Sequence, residues 1–260
     1  HLSIRRQRQM CIRDRDGTAE FINYVKTNSN NTDGRVQVAV TPRFIPSCTD
    51  EALHSLGALA SENSTYIQTH CSESDWEHNY VIDRCGKSDT EALLSYGLLN
   101  RSTILAHANF ISENDMDVIK EHGAGIAHCP LSNFFFSDAV FPLRRALEKG
   151  LRIGLGTDIS GGPSSSIIDT SRNAIIAARA LENGVNPNIE RTNRGLPDSR
   201  VDFCDAFYLA TKGGADVLNI PTGSFERGNF FDALLIDTEI ESAPISLSDD
   251  SDKDIVQKII

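Results

Sequence analysis

The sequence contains no apolar run approaching the roughly 18 residues that a bilayer-spanning helix needs, and no secretory leader is recognisable in it. Its six cysteines, Cys11, Cys48, Cys71, Cys85, Cys129 and Cys204, include no C-x-x-C pair, so neither a thiolate zinc site nor a disulfide framework is indicated. Positive charge is also scarce. Lys and Arg total 25 against 36 Asp and Glu, a formal net charge of −11, and no basic stripe offsets it locally. Nucleic acid and membrane are therefore poor partners, and no internal repeat suggests a scaffold array. These absences predict a cytoplasmic protein that acts on small molecules, with 260 residues available for a full core.

The first fifteen residues, His1 to Arg15, differ from the rest in being Arg-dense without helical or strand periodicity. They read as a non-native tail to be set aside from fold reasoning, and the alternative is a basic arm. Phe21, Ile22 and Val25 suit a short helix over Ala19–Lys26, and Asn28 to Gly34 is rich in turn formers. From there short aliphatic runs alternate with helical patterns. The expected strands are Val36–Val40, Tyr66–His70, Thr103–His107, Gly125–Pro130 and Arg152–Asp158. Between them fall helices over Asp50–Glu62, from Ser88 through a capping-box pattern with Glu91, from Ser112 to Gly123, and over Leu143–Lys149. Later helices are expected over Ile167–Glu182 and Asp205–Lys212. Thr222–Gly228 and Phe231–Asp237 then read as turn and strand, and Ser248–Asp254 as a frayed acidic end. The fold class predicted is α/β, with consecutive β/α units about 30 residues long, as in a (β/α)8 barrel of the TIM type.

Three polar clusters each end a strand, in order along the chain: Thr69-His70-Cys71-Ser72-Glu73, Ala106-His107-Ala108-Asn109 and Gly156-Thr157-Asp158. Side chains at the carboxyl ends of barrel strands share one mouth, and this order points to a metal hydrolase. Imidazole and carboxylate are ligand types for zinc, which selects His70, His107 and Asp158 as metal ligands. Glu73, three residues past His70, can carry a proton without binding the metal, and Asp158 can take one from water. A single His at a strand end, or one Gly-Thr-Asp turn, is ordinarily structural, so the argument rests on the coincidence of three. His54, His78 and His122 read as solvated residues of helices or loops, and His128 as mainly structural.

With these residues in view, the chain resembles the amidohydrolase superfamily and, within it, the guanine deaminase family. The match spans about Val36 to Asp237 and rests on Val40-Thr41-Pro42-Arg43-Phe44, Pro46-Ser47-Cys48, Gln68 to Glu73, Ala106-His107, His128 to Asn133 and Gly154 to Gly162. Ala210 to Ala215 and Gly223 to Gly228 extend it. The resemblance implies hydrolytic deamination of guanine to xanthine and ammonia by water activated on Zn2+, with Fe2+ the second choice of metal. It makes His70 and Asp158 zinc ligands, puts His107 at the metal or its water, and makes Glu73, His107 and Asp158 the catalytic set. Arg43 and Phe44 would hold the purine beside His70, Glu73 and Asp158, with Ser132 and Asn133 shaping the pocket. A homodimer is implied for the complete protein.

One departure from that family is clear: its His-x-His pair is absent from this sequence. The five strands then correspond to about the fourth through eighth of the barrel. The division expected is residues 1–15 as non-native tail, 16–215 as partial barrel, and 216–260 as a β-sandwich remnant with an acidic end. Such a piece should bind zinc weakly, aggregate easily and leave guanine unchanged. The alternatives are an aminohydrolase acting on cytosine, a pterin or a triazine, and a non-catalytic barrel scaffold.

Overall fold

The computed structural model describes residues 2–28, 36–238 and 245–260, with side chains from Arg15 onward in the first stretch. The loop expected up to Gly34 therefore lies, past Asn28, outside the described residues. Five strands, β1 (Ala39–Val40), β2 (Tyr66–Cys71), β3 (Thr103–His107), β4 (Gly125–His128) and β5 (Arg152–Leu155), follow one another in a single sheet in chain order. The β1–β2 and β2–β3 pairs are parallel, with Ala39 opposite Tyr66 and Ile67 opposite Thr103. Sequential parallel order with a helix in each connection is the arrangement of a barrel segment, as distinct from a doubly wound sheet whose order reverses.

The chain divides into two compact units, His1–Ile126 and Ala127–Ile260. In the first, helices α1 (Leu2–Asn28), α2 (Asp50–Asn63), α3 (Asp75–Cys85), α4 (Asp89–Ser95) and α5 (Glu113–His122) accompany β1 to β3. Strand β2 alternates, burying Ile67, Thr69 and Cys71 while Gln68 and His70 stay half-exposed. Leu53, Leu56 and Leu59 of α2, Val81 of α3, Leu93 of α4 and Met116 and Ile119 of α5 complete the core. Each of these helices starts on a side-chain cap: Thr49, Ser74, Ser88 and Ser112 accept from a backbone N–H three residues on. At Ser88 and Ser112 the bond is reciprocated by Glu91 and Asp115. Asp50 accepts from Arg84 at 2.6 Å and from the Tyr96 hydroxyl at 2.7 Å, tying α2 to α3 and to the end of α4.

Strand β5 and helices α6 (Pro130–Ser132), α7 (Leu143–Glu148), α8 (Ile167–Asn183), α9 (Phe203–Tyr208), α10 (Gly214–Leu218) and α11 (Asp252–Ile259) form the second unit. Backbones approach closely here: a Cβ on Gly154 of β5 would fall 2.7 Å from the Gly214 Cα, and one on Gly213 would fall 2.4 Å from the Ile153 carbonyl oxygen. Helix α8 buries Ala174, Ala177 and Ala178 as its apolar stripe.

Five local expectations are corrected. The Arg-dense start continues as helix from Leu2, because Arg, Gln, Leu and Met are good helix formers even without an amphipathic stripe. Helix α3 fills the stretch between His70 and Ser88, for which the sequence pattern predicts no helix. Strand β1 is only two residues long, with Val36 exposed. Phe231–Asp237 carries no strand: it pairs with no other described strand, and Leu234 and Leu235 are exposed. The acidic end is a turn that leads into helix α11 from Asp252, where Ser251 and Asp254 form a capping box and Arg172 donates to the Ile259 carbonyl oxygen at 3.2 Å.

Candidate active site

His70 stands one residue before the end of β2, and its Nδ1 lies 2.7 Å from the Arg43 carbonyl oxygen. A carbonyl only accepts, so Nδ1 carries the proton and the ring's lone pair is left on Nε2. His107 closes β3 and is buried, 1 % exposed, with its ring stacked on that of His70 at 5.1 Å between centroids and 21° between planes. Its Nε2 lies 3.7 Å from Glu73 Oε1. Ligand atoms of His70, Glu73 and His107 all fall within 4.8 Å of one another.

The backbone is held in unusual conformations at these strand ends. Ser72, His107, Ala108 and Asp158 have φ of 48°, 71°, 56° and 48°, in the left-handed region that non-glycine residues seldom occupy. In the first unit this geometry is supported by hydrogen bonds from Ala108 N–H to the Cys71 carbonyl at 2.9 Å and from Phe110 N–H to that of Ser72 at 3.3 Å. The cost of such conformations concentrates where side chains must be aimed.

The remaining expected residues divide between the units. The Phe44 ring is 6.2 Å from that of His70, and the Arg43 guanidinium lies 5.2 Å over the Phe44 face, a cation–π contact at the exposed edge of the cluster. Asp158, just past β5 in the second unit, accepts a hydrogen bond from the buried Ser132 hydroxyl. Gly161 sits so close that a Cβ would meet Asp158 Oδ2 at 2.6 Å. Asn133 and His128 are buried in the same unit, the His128 ring 5.2 Å from that of Phe141. His54 is exposed, as expected. His78 and His122 are not simply solvated: His78 is half-buried against Phe110 at 5.9 Å, and His122 Nδ1 lies 3.0 Å from the Val118 carbonyl oxygen of its own helix.

Two carboxyl groups escaped the sequence reading. Glu77 and Asp89 are 1 % and 0 % exposed. Glu77 Oε2 accepts the Glu73 N–H at 2.8 Å, and Asp89 Oδ2 accepts the Ser72 hydroxyl at 3.1 Å. Loss of solvent pushes the Glu77 carboxyl up to about 8, with the Asp89 charge adding to it. Burial likewise lifts Asp89 to about 6, opposed by the Ser72 hydrogen bonds. The usable signal was Ser74-Asp75-Trp76-Glu77, which has the S-x-x-E spacing of a helix start.

The His70 and His107 imidazoles suit a borderline-soft divalent ion such as zinc, with the Glu73 carboxylate close enough to exchange protons beside it, and His70 has the protonation pattern of a ligand whose second nitrogen is tied to a carbonyl. Successive β/α units with this cluster at the strand ends make the chain an α/β barrel-type protein with a candidate metal site. The chain belongs to the amidohydrolase family, whose model matches residues 14–259. It is 37 % identical over 248 residues to the guanine deaminase of Dictyostelium discoideum, covering 94 % of this chain and 52 % of that protein. With the guanine deaminase of Mus musculus it shares 36 % over 217 residues, covering 82 % and 46 %. Among solved structures, the guanine deaminase of C. acetobutylicum with guanine in its active site is 32 % identical with a TM-score of 0.60, covering 72 % of this chain and 43 % of the other. The chain spans about half the length of the curated relatives it matches.

Proposed function

We propose that this chain is part of a zinc-dependent guanine deaminase, hydrolysing guanine to xanthine and ammonia. The observation that carries the reading is the cluster of His70, Glu73 and His107, with His70 Nδ1 bound to the Arg43 carbonyl and the Arg43–Phe44 pair beside it. His70 and His107 are the groups in the first unit that would hold Zn2+, joined by Asp158 as a carboxylate ligand. Bound zinc would supply Lewis acidity and lower the pKa of water. Glu73 carries a proton to the departing amino group, and Asp158 takes one from the attacking water. Arg43 donates to the purine carbonyl while Phe44 packs on the ring face. In the balanced reaction a C–O bond forms from water, the exocyclic C–N bond breaks, and nitrogen leaves as ammonia.

The division proposed is residues 1–15 as a non-native tail, which helix α1 nonetheless runs through from Leu2, 16–215 as the partial barrel, and 216–260 as a β-sandwich remnant with an acidic end. The complete protein is proposed to be a cytoplasmic homodimer. Lacking the His-x-His pair, this polypeptide alone is expected to leave guanine unchanged. The test of substrate is Arg43→Ala in the complete enzyme: guanine kcat/KM should fall at least tenfold, in line with loss of a charged hydrogen bond worth about 1.5–3 kcal/mol. Unaltered guanine turnover would move the assignment to another aminohydrolase substrate. Loss of Glu73 without effect on any deamination would favour a scaffold.

A further inference from the structure

Glu77 and Asp89 are buried acids in a place where burial is costly. Among the described residues neither is paired with Lys or Arg, and the Glu77 carboxyl is hydrogen-bonded to that of Asp89. Two carboxyl groups out of water with no cation beside them are costly to bury, so these groups do something an apolar side chain cannot. What they touch is one turn. Glu77 takes the N–H of Glu73, Asp89 takes the hydroxyl of Ser72, and Asn109 Nδ2 donates to the carbonyl oxygen of Glu73 at 2.8 Å. The Glu73 peptide groups are thus gripped on both sides, with Ser72 in its left-handed conformation between β2 and the turn. The geometry also explains an irregularity of α3. Its cap Ser74 accepts from Glu77 N–H at 3.3 Å, yet the Glu77 carboxyl does not return the bond to Ser74 N–H as a capping box would, and turns inward to Glu73.

We propose that Glu77 is a positioning residue for Glu73: its buried carboxyl, backed by Asp89 on Ser72, fixes the turn that directs the Glu73 carboxylate at His107. The inference rests on the reading of Glu73 as proton carrier. It does not depend on the charge of Glu77, because the carbonyl oxygen of a neutral acid accepts the Glu73 N–H as an ionised one does. A glutamine at 77 keeps an acceptor of the same reach, whereas leucine keeps the volume and removes the acceptor.

Two measurements test it. In this 260-residue chain, amide hydrogen exchange at Glu73 should accelerate at least tenfold in Glu77→Leu and stay within about threefold of the parent in Glu77→Gln, with the β3 amides unchanged in both. In the zinc-loaded complete enzyme, Glu77→Leu should lower kcat for guanine by about 10²-fold with KM within about threefold, the size expected when a proton-transfer group is misplaced. Glu77→Gln should restore kcat to within about threefold of the parent. Equal loss in the Gln and Leu variants, or a Leu variant that exchanges and turns over normally, overturns the proposal. Glu73→Gln separates the two levels. If it abolishes deamination while Glu77→Leu is normal, only the positioning role falls; if it leaves deamination intact, the catalytic reading of Glu73 falls with it. Should the Leu variant not fold, Glu77→Gln paired with Asn109→Ala asks the same question, the second releasing the Glu73 carbonyl and accelerating exchange at the turn.

Discussion

Substituting Gly154 by alanine sets two opposing effects against each other. Glycine in a strand costs roughly 0.5–1 kcal/mol relative to alanine through chain entropy, so in open space the change would stabilise. There is no open space: the new Cβ would fall 2.7 Å from the Cα and 3.1 Å from the N of Gly214. Both are backbone atoms and cannot rotate away. Relief requires β5 and the start of α10 to separate by on the order of 1 Å, and overpacking of this kind costs typically 1–3 kcal/mol. The clash therefore wins, with a net loss of about 1–2 kcal/mol, or roughly 2–8 °C in Tm for a chain of this size. Gly17→Ala in α1 is the control, since nothing lies within 4 Å of its Cβ and helix propensity alone should add up to about 1 kcal/mol. Far-UV circular dichroism is the suitable probe, because the single tryptophan, Trp76, belongs to the first unit. A Gly154→Ala protein as stable as the parent would refute the claim that strand and helix meet backbone to backbone.

Three further outcomes are expected. The Glu77–Asp89 pair, facing Asp115 and Glu73, holds protons in the folded state that the unfolded chain releases, so stability should fall as pH rises from the ordinary carboxylate range through about 6 and on to about 8. The effect is on the order of a few kcal/mol, and it is checked by comparing Tm from pH 5.5 to 8.5 in the parent and in Glu77→Gln with Asp89→Asn, whose profile should be flatter. Zinc titration of this chain by calorimetry should give only weak binding, abolished by His107→Ala, and sub-micromolar affinity would contradict an incomplete ligand set. Leu53→Ala, emptying a fully buried position of α2, should cost about 2–5 kcal/mol in urea unfolding, and a cost below 1 kcal/mol would mean that α2 does not pack as described.

How much of this was legible in the sequence depended on the range of the forces involved. The strands Thr103–His107 and Tyr66–His70 are short aliphatic runs whose burial pattern is local, and the Ser88 and Ser112 caps, with Glu91 and Asp115 three residues on, mark the starts of α4 and α5. Helix α3 was hidden because Trp76, Tyr80 and Ile82 are exposed, so its hydrophobic periodicity is weak. The supposed strand at Phe231–Asp237 has strand-like composition, but a strand exists only with a partner to pair with. At the site, His70, Glu73 and His107 could be chosen one by one from strand ends, and the structure gathers them. Glu77 and Asp89 could not be found that way: the S-x-x-E spacing from Ser74 marks Glu77 as part of a helix start, but that it turns inward to Glu73 shows only in the fold. Asp158 was legible as a strand-end acid, while its hydrogen bond from Ser132, 26 residues away in sequence, was not.

The central claim is best tested by measuring xanthine formation from guanine by the zinc-loaded complete protein, with Glu73→Gln beside it. The account predicts robust conversion by the parent and a loss of about 10²–10⁴-fold in kcat for the variant, as for removal of a proton-transfer group. A complete protein that leaves guanine untouched, or a Glu73→Gln variant that converts it at the parental rate, would contradict it.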